Sequence, residues 1–316
     1  MTSVLVLDGG QRSALAVVRS LGRRGIQVHV ADTVSPCLAG VSRYAHSQWH
    51  HPDPQSSPAQ FVTWVHDISR RLRIDLVFPA TDVTTMLLAP HRETPGAPRI
   101  VCAPHTAYEQ VTDKFHLLQI ANRAQVRTPR TFIATSLQEI EEHLSTARFP
   151  IVLKPARSRL ALHDRIIDTT VYIAQSKAEA LVYARAQVWL GAIPCLLQEF
   201  IEGHGAGVFA LYSEGRPVAW FAHRRLREKP PQGGVSVLCE SAAVSTSLRE
   251  AAQRLLTEAK WNGAAMVEFR VDRAGNPYLM EVNGRLWGSL QLAIDSGIDF
   301  PWLLFRAANG ECVEAV

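Results

Sequence analysis

Two short apolar segments between residues 266 and 288 each carry an acidic side chain, Glu268 in the first and Glu281 in the second. Apolar and polar residues alternate in both segments, which predicts two strands, and the sequence Ala-Gly-Asn-Pro at 274–277 supplies a turn between them. If the strands pair as a hairpin, both carboxylates can point to one face, with Asn283 on the same side. Two carboxylates and an amide oxygen suit Mg²⁺, which takes a few protein oxygens and completes its shell with water and phosphate. The alternative is a solvent-facing hairpin with ordinary surface acids.

A second cluster of charged residues follows an apolar segment in the middle of the chain. Lys154 ends the strand predicted over residues 151–154, and Arg157, Ser158 and Arg159 come shortly after it. A strand interior rarely accepts a charge without a partner, and lysine and arginine donate charge-assisted hydrogen bonds to phosphate oxygens. The cluster therefore indicates an anion site, with an exposed edge strand that carries solvated basic residues as the alternative.

Residues 195–201, CLLQEFI, form an apolar segment with a Gln-Glu pair inside it, and a flexible turn is predicted over residues 203–207. A polar pair between apolar neighbours could hold a purine, with backbone groups at its edge and apolar side chains on its faces. Further along the chain, residues 224–229 are strongly basic and residues 230–234 predict a mobile loop.

Length, composition and cysteine content restrict the class of protein. A chain of 316 residues is expected to divide into about two domains, and 47% apolar with 20% charged residues is typical of a soluble globular protein. The net charge of +4 suits an anionic small molecule as well as a nucleic acid, but no lysine-rich tail or interleaving of aromatic and basic residues favours the latter. The five cysteines are scattered, without a CxxC pair, so we expect neither disulfides nor zinc, and a reducing cytoplasm fits. A membrane span or signal peptide is not expected, because no run of about 18 apolar residues exists and the chain enters a strand directly.

The first hundred residues have the alternation of a parallel α/β domain. Strands predicted over residues 3–7 and 26–30 flank a helix predicted over 13–24. The Asp-Gly-Gly turn after the first strand lacks a full GxGxxG pattern, so it is either a phosphate cradle or a tight structural turn. Thr81 and Asp82 follow a later strand, where they are candidate substrate contacts or helix caps.

Five features occur in a fixed order along the chain: Lys114, Lys154, QEFIEG at 198–203, VEFR at 267–270 and MEVNGR at 280–285. Over about residues 1 to 310 this order resembles the ATP-grasp superfamily, specifically its carboxylate–amine ligase-like members. The resemblance implies a combination of α/β and α+β architecture, in which a parallel α/β (pre-ATP-grasp) domain precedes a two-lobed ATP-grasp domain with antiparallel sheets. The implied domains are a pre-ATP-grasp domain at 1–104, a small lobe with central nucleotide-binding strands at 105–190, and a C-terminal lobe with the metal site at 191–316.

The resemblance also implies roles for individual residues. The two lysines would contact nucleotide phosphates. Proposed nucleotide contacts are Lys114, Lys154, Arg157, Ser158, Gln198, Glu199, Phe200, Ile201 and Glu202, with Glu202 facing the ribose. Glu268, Glu281 and Asn283 would hold Mg²⁺, or alternatively Mn²⁺. Arg285 would bind an acyl phosphate, and Arg224, Arg225 or Arg227 could meet the carboxylate or acyl phosphate, with a solvated basic face as the alternative.

The chain departs from the family pattern at two positions. The family commonly carries a glycine-rich loop after the second lysine, whereas residues 156–168 contain no glycine. The usual Asn-Pro-Arg appears as Asn-Gly-Arg at 283–285, which keeps both polar residues but loosens the backbone between them.

The function implied by the resemblance is an ATP- and Mg²⁺-dependent ligase that joins a carboxylate to an amine through an acyl phosphate and releases ADP and phosphate. Small molecules, for example amino acids or peptides, would be its partners, with neither nucleic acid nor membrane involved, and family analogy favours a homodimer. The alternatives are an ATP-grasp kinase or carboxylase-type enzyme, a nucleotide-binding module without catalysis, and a dehydrogenase on the N-terminal βαβ unit.

Overall fold

The first part of the structure, a computed structural model that describes residues 2–162, 164–229 and 235–316, is a parallel sheet with helices. Its elements are β1 (Ser3–Val6), α1 (Arg12–Gly22), β2 (Gln27–Asp32), β3 (Ser47–His50), α2 (Pro58–Leu72), β4 (Leu76–Phe78), α3 (Asp82–Leu88), a 3₁₀ turn (Ala89–His91) and β5 (Arg99–Ile100). The five strands are parallel, in the order β3-β2-β1-β4-β5. A helix between consecutive parallel strands returns the chain to the same edge of the sheet, and the predicted parallel α/β part is confirmed.

The middle part is a four-stranded antiparallel sheet. Its elements are β6 (Thr131–Ala134), α6 (Leu137–Leu144), β7 (Ile151–Pro155), the hairpin β8 (Arg159–Leu162) and β9 (Arg165–Asp168), β10 (Tyr172–Ala174), α7 (Lys177–Arg185) and β11 (Cys195–Glu199). The order of the sheet is β10-β7-β11-β6. Buried residues of α6 and α7, among them Ile140 and Leu181, pack on this sheet around Leu153 and Leu197.

The last part is a five-stranded antiparallel sheet in the order β14-β13-β12-β15-β16. Its strands are β12 (Gly203–Ser213), β13 (Arg216–Lys229), β14 (Val235–Ala242), β15 (Gly263–Asp272) and β16 (Pro277–Asn283). The remaining helices are α4 (His105–Thr112), α5 (Lys114–Arg123), α8 (Thr246–Glu258), α9 (Leu290–Asp295) and α10 (Phe300–Ala308). The predicted antiparallel sheets are therefore also present.

Hydrophobic clusters connect these parts across the predicted domain boundaries. Val17 of α1 shares a core with Trp287 and with Phe300 of α10, so the end of the chain packs on the first sheet. Tyr108 of α4 shares another core with Phe269 of β15. Both α4 and α5, which the sequence places in the small lobe, thus lie against the last sheet.

Two sequence predictions differ from the structure in this region. The boundary predicted between residues 190 and 191 cuts off β11, yet β11 pairs with β6 and β7 in the middle sheet. The turn predicted over residues 203–207 is the beginning of β12, where Gly203 to Gly207 pair with Asp272 to Glu268 of β15. A Cβ at Gly205 would lie 2.6 Å from Oε1 of Glu228, so a larger residue there would displace the Glu228 side chain.

Two further expectations concern membranes and a loop. No helix among the described residues is long and apolar enough to span a membrane. The mobile loop predicted over residues 230–234 lies outside the described residues.

We expect Asp8→Asn to destabilise the protein by about 2 kcal/mol, because one of the two acceptor oxygens becomes an NH2 group that faces buried donors. The Asp8 carboxylate accepts hydrogen bonds from the backbone N–H of Ala80 at 2.8 Å and from the hydroxyls of Thr84 at 2.6 Å and Thr81 at 3.1 Å. Urea denaturation measures the loss. Asp67→Asn is the control, since Asp67 is exposed on α2 and pairs with the exposed Arg70, and we expect it to cost less than about 0.5 kcal/mol. Equal losses in the two variants would refute this role of Asp8.

Candidate active site

The hairpin of β15 and β16 brings three oxygen-bearing side chains together. Glu268 and Glu281 are cross-strand partners, and the register shifts directly after Glu268. The amide Nδ2 of Asn283 donates to Oε1 of Glu268 at 2.8 Å and to Oε1 of Glu281 at 3.2 Å. The three side chains therefore share one face of the sheet.

This donor set fits a magnesium ion. Mg²⁺ favours hard oxygen ligands and usually keeps several of its own waters, so a few protein oxygens are sufficient. Among the described residues no group of three or more His, Cys, Asp and Glu side chains could hold a metal, which leaves this acidic pair with its amide as a partial shell. Rotation of the Asn283 amide by a half turn would present its oxygen, in place of its nitrogen, to a cation held by both carboxylates.

Buried cations surround the acidic pair. Lys114, the first residue of α5, donates from Nζ to the hydroxyl of Ser158 at 2.9 Å. Lys154 lies in β7 with its Nζ 3.9 Å from the Sδ of Met280. Arg225 forms salt bridges with Glu268 and, at 3.1 Å, with Glu228. The acidic pair therefore lies in a setting that is rich in positive charge.

Burial and mutual interaction shift the ionisation of these groups. Burial lowers the pKa of Lys154 to about 8, although the nearby Glu281 opposes the shift. Burial also lowers the pKa of Lys114. Burial, and then Glu281, raise the pKa of Glu268 against the effect of Arg225. For Glu281, burial alone would raise the pKa, but Lys114 and Lys154 outweigh burial and lower it.

A cavity of about 520 Å³ lies between the middle and last sheets, within the size range of small-molecule sites. Its wall includes the acidic pair, Lys154 and the segment Gln198, Glu199, Phe200 and Ile201; Val152 and Ile173 of the middle sheet; Arg225, Phe269 and Met280 of the last sheet; and Arg12 of α1. All three parts of the fold thus contribute to one cavity.

The cavity has an order along the hairpin. Near the turn, the guanidinium of Arg270 lies 5.5 Å from the ring centre of Phe200, and its Nε donates to the carbonyl of Ile201 at 2.7 Å. The acidic pair follows along the strands, and Trp287, Gly288 and Ser289 come after the end of β16. Glu268 pairs with Gly207 and Gly207 with His223, so Ser289, which contacts His223, lies across the sheet from the acidic pair, on the side of β13.

Comparisons with known proteins identify this architecture. Residues 192–316 match the family model described as "ATP-grasp in the biosynthetic pathway with Ter operon". The L-amino acid ligase of Bacillus licheniformis is 16% identical, with a TM-score of 0.74 over 98% of this chain and 74% of that chain. The biotin carboxylase domain of a Hydrogenobacter thermophilus 2-oxoglutarate carboxylase, solved with MgADP and bicarbonate, is 17% identical, with a TM-score of 0.78 over 98% of this chain and 70% of that chain. The phosphoribosylamine–glycine ligase of Thermotoga maritima is 15% identical, with a TM-score of 0.71 over 100% of this chain and 77% of that chain. A sequence search of curated proteins gave no match.

The chain has the ATP-grasp fold. The structural matches span almost the entire chain, and the family model covers the part that contains the acidic hairpin. The resemblance predicted from the two lysines and the three motifs is thereby confirmed.

The ATP-grasp fold does not bring two of the predicted arginines to the cavity. Arg224 is exposed and pairs with Glu240 at 2.5 Å, and Arg227 is also exposed. Successive side chains of a strand point to opposite faces, and the irregular pairing after Arg225 turns Arg227 outward as well. Arg225, which the sequence offered as an alternative, is the member of this run that lines the cavity. We therefore replace Arg224 and Arg227 with Arg225 as the candidate.

Several predicted nucleotide contacts have protein partners. Arg157 forms salt bridges with Glu109 and Asp113, each at 3.1 Å, so two carboxylates already balance its charge. Ser158 accepts the hydrogen bond of Lys114. Both residues border a smaller cavity of about 50 Å³ next to Glu281.

Some residues of the predicted adenine segment line the large cavity, and others do not. The buried Gln198 donates from Nε2 to the hydroxyl of Thr131 at 3.0 Å, although it still lines the large cavity with Glu199, Phe200 and Ile201. Glu202 pairs with Arg273 at 3.0 Å on the surface, away from the described lining of that cavity.

Sequence reasoning missed two features of the site. Asp82 of α3 forms a salt bridge with Nε of Arg285 at 3.0 Å, so the first part of the chain holds the proposed acyl-phosphate arginine. His223 is buried in the cavity wall, with Nδ1 3.2 Å from the hydroxyl of Ser289. Burial, and then the charge of Arg225, lower the pKa of His223 to about 4, so its imidazole is neutral near pH 7. The position of Asp82 after a parallel strand was a signal for the first feature, whereas His223 gave none.

We expect a double-mutant cycle of Asp82→Ala and Arg285→Ala to show a coupling of about 1 to 2 kcal/mol in the free energy of unfolding. Each single change leaves a partner charge that is only about one-quarter exposed, so each costs more than the loss of a surface charge. Urea denaturation of the four proteins measures this coupling. The exposed pair Asp67 and Arg70, with exposures of 59% and 76%, is the reference and should couple by less than about 0.5 kcal/mol. Strictly additive effects at Asp82 and Arg285 would contradict the ion pair.

Proposed function

We propose that the protein is an ATP- and Mg²⁺-dependent ligase that joins a carboxylate to an amine and releases ADP and phosphate. The observation that carries the proposal is the position of Glu268 and Glu281 in a cavity wall shared with the buried Lys154. Such a site suits a triphosphate with its metal ion, because it offers carboxylate oxygens to the cation and an ammonium group to the phosphates. Two of the structural neighbours are ligases by name, an L-amino acid ligase and a phosphoribosylamine–glycine ligase.

The nucleotide would lie along the hairpin. We assign the base to the segment from Gln198 to Ile201, where Phe200 and apolar residues of the middle sheet line the cavity. The phosphates would then reach Lys154, and Lys114 would approach them from α5. Glu268, Glu281 and Asn283 would hold the magnesium ion, or manganese in its place.

The residues of the chain act mainly by placement and charge. Lys154 and Arg285 would stabilise the charge of the transferred phosphoryl group, because cations aimed at developing charge in a buried site act strongly. Glu268, Glu281 and Asn283 would hold a magnesium ion, which would supply positive charge to the phosphates when bound. Arg225, once released from Glu268, would be the cation nearest to the incoming carboxylate.

The reaction has two steps. An oxygen of the substrate carboxylate attacks the γ-phosphorus, the bond from that phosphorus to the β,γ-bridging oxygen breaks, and ADP leaves with that bonding pair. An amine then attacks the carbonyl carbon of the acyl phosphate, phosphate leaves, and the nitrogen loses one proton. No serine or cysteine nucleophile is needed, because ATP activates the acid.

A carboxylase-type reaction is the second candidate. The carboxylase domain resembles this chain with a TM-score of 0.78, against 0.74 and 0.71 for the two ligases. Bicarbonate would then be the acid that ATP activates. Release of ADP that depends on bicarbonate, and not on another carboxylic acid, would select this candidate over the amide ligase.

We expect Glu281→Gln to reduce ADP release by at least about a thousandfold, because the metal site loses one of its two charges. The assay supplies Mg·ATP with panels of amino acids, peptides and other acids and amines, and it separates ADP and phosphate from AMP and pyrophosphate. Glu142→Gln is the control, since Glu142 is exposed on α6, and its activity should equal that of the wild type. Full activity of Glu281→Gln, or formation of AMP, would refute the proposed mechanism.

We expect the affinity for Mg·ATP analogues to fall as the pH rises above about 8. The pKa of Lys154 is about 8 in the free protein, and bound phosphates favour the ammonium form and raise that pKa. Binding therefore takes up a proton between the free and bound pKa values, with a loss of at most about tenfold per pH unit for one group. Calorimetric titration with a non-hydrolysable analogue measures this profile. Lys154→Met should weaken binding and flatten the profile, whereas Lys229→Met, at an exposed position of β13, should leave it unchanged; a profile that persists in full in Lys154→Met would refute the assignment.

A further inference from the structure

Arg12, an exposed residue, places a positive charge at the edge of the cavity that holds the acidic pair. It is the first residue of α1, and it lines the same cavity as Glu268 and Glu281. Its Nη2 lies 4.0 Å from the position that a Cβ would occupy at Gly288. Gly288 is not among the glycines with a positive φ, and the guanidinium of Arg12 lies beside it.

The other arginines of the cavity wall are held by partners. Arg225 pairs with Glu228 and Glu268, and Arg285 pairs with Asp82. Arg270 donates to the carbonyl of Ile201. Within residues 2–162, 164–229 and 235–316, by contrast, Arg12 has neither a salt bridge nor a side-chain hydrogen bond. Its guanidinium is therefore available to a ligand.

The surroundings of Arg12 add polarity without adding negative charge. Gly288 and Ser289 follow β16, and His223, which hydrogen-bonds with Ser289, is neutral. A guanidinium offers paired donors that match the geometry of a carboxylate or phosphate. An anion next to Arg12 would consequently find a charge partner and no competing carboxylate from these neighbours.

We propose that Arg12 binds an anionic group of the substrate, a carboxylate or a phosphate, that is separate from the carboxylate activated by ATP. The inference rests on the proposed function, in which the reacting carboxylate is assigned to Arg225, beside Glu268. Glu268 pairs with Gly207, and Gly207 pairs with His223, so Ser289, which contacts His223, lies about two strand spacings across the sheet from Glu268. An anion at Arg12 therefore belongs to the part of the substrate that does not react. Arg12 is then a specificity-determining residue contributed by the first part of the chain.

The test measures binding to protein saturated with Mg·ADP, by calorimetry, with three matched pairs of probes. The pairs are succinate and succinamate, glutarate and glutaramate, and 3-phosphoglycerate and glycerate, so the last pair separates phosphate from carboxylate recognition. In at least one pair we expect the wild type to bind the member with two anionic groups at least tenfold more tightly. Arg12→Gln should remove that preference, and Arg12→Lys should restore part of it.

Arg19→Gln is the matched control, because Arg19 is exposed on the same helix and does not line the cavity. It should bind the probes as the wild type does, and both glutamine variants should bind Mg·ADP normally. Equal preference in Arg12→Gln and the wild type, or no binding of any probe to the wild type, would overturn the proposal.

Two different results distinguish a wrong role of Arg12 from a wrong proposed function. A wild type that releases ADP with its substrates, and an Arg12→Gln variant with unchanged KM for all of them, would refute the role of Arg12 alone. A wild type that prefers the doubly charged probes through Arg12 but releases no ADP with any acid and amine would refute the ligase and leave the anion subsite in place.

Discussion

The site depends on two carboxylates that face each other across paired strands. Like charges directly opposite in a sheet are destabilising, and burial of both makes the repulsion stronger because the local dielectric is low. The fold compensates with cations from four different segments: Lys114 from α5, Lys154 from β7, Arg225 from β13 and Arg285 after β16. The acidic hairpin is consequently stable only where these segments meet.

This requirement links the architecture to the chemistry. The middle sheet supplies Lys154, the last sheet supplies the carboxylates, and the cavity lies where the two sheets face each other. The first part of the chain takes part through Asp82, which pairs with Arg285, and through Arg12. A metal cation bound between Glu268 and Glu281 would neutralise Glu268 in place of Arg225. The guanidinium of Arg225 could then bind an anionic substrate.

Local patterns predicted much of this arrangement. Strand alternation around Glu268 and Glu281 was sufficient for the hairpin, because cross-strand neighbours in a short hairpin are set by the turn between them. The charge of Lys154 at the end of an apolar strand likewise signalled a buried partner. The parallel sheet followed from the alternation of strands and a helix near the N-terminus.

Features that depend on distant pairing could not be read from the sequence. Gly203 to Gly207 have the composition of a turn, yet β15 provides a pairing partner and the segment becomes strand. Arg224 and Arg225 are indistinguishable by type, and only the register of β13 with β14 decides which one faces the cavity. In the sequence, Arg157 is a candidate phosphate ligand. In the fold it forms salt bridges with Glu109 and Asp113, which the sequence does not reveal. The helices α9 and α10 are stabilised by packing of Leu290 and Phe300 in the core that they share with α1 and the first sheet.

The central claim is that Glu268 and Glu281 hold a divalent ion against the phosphates of a nucleotide. A crystal grown with Mn²⁺ and a non-hydrolysable ATP analogue tests it most directly, because the anomalous signal of manganese locates the ion without reference to the expected site. We predict an anomalous-density peak about 2.0–2.3 Å from an oxygen of each carboxylate. The phosphates should point to Lys154, and the salt bridge between Arg225 and Glu268 should be broken. A nucleotide bound elsewhere, or a manganese ion with neither carboxylate in its coordination shell, would contradict it.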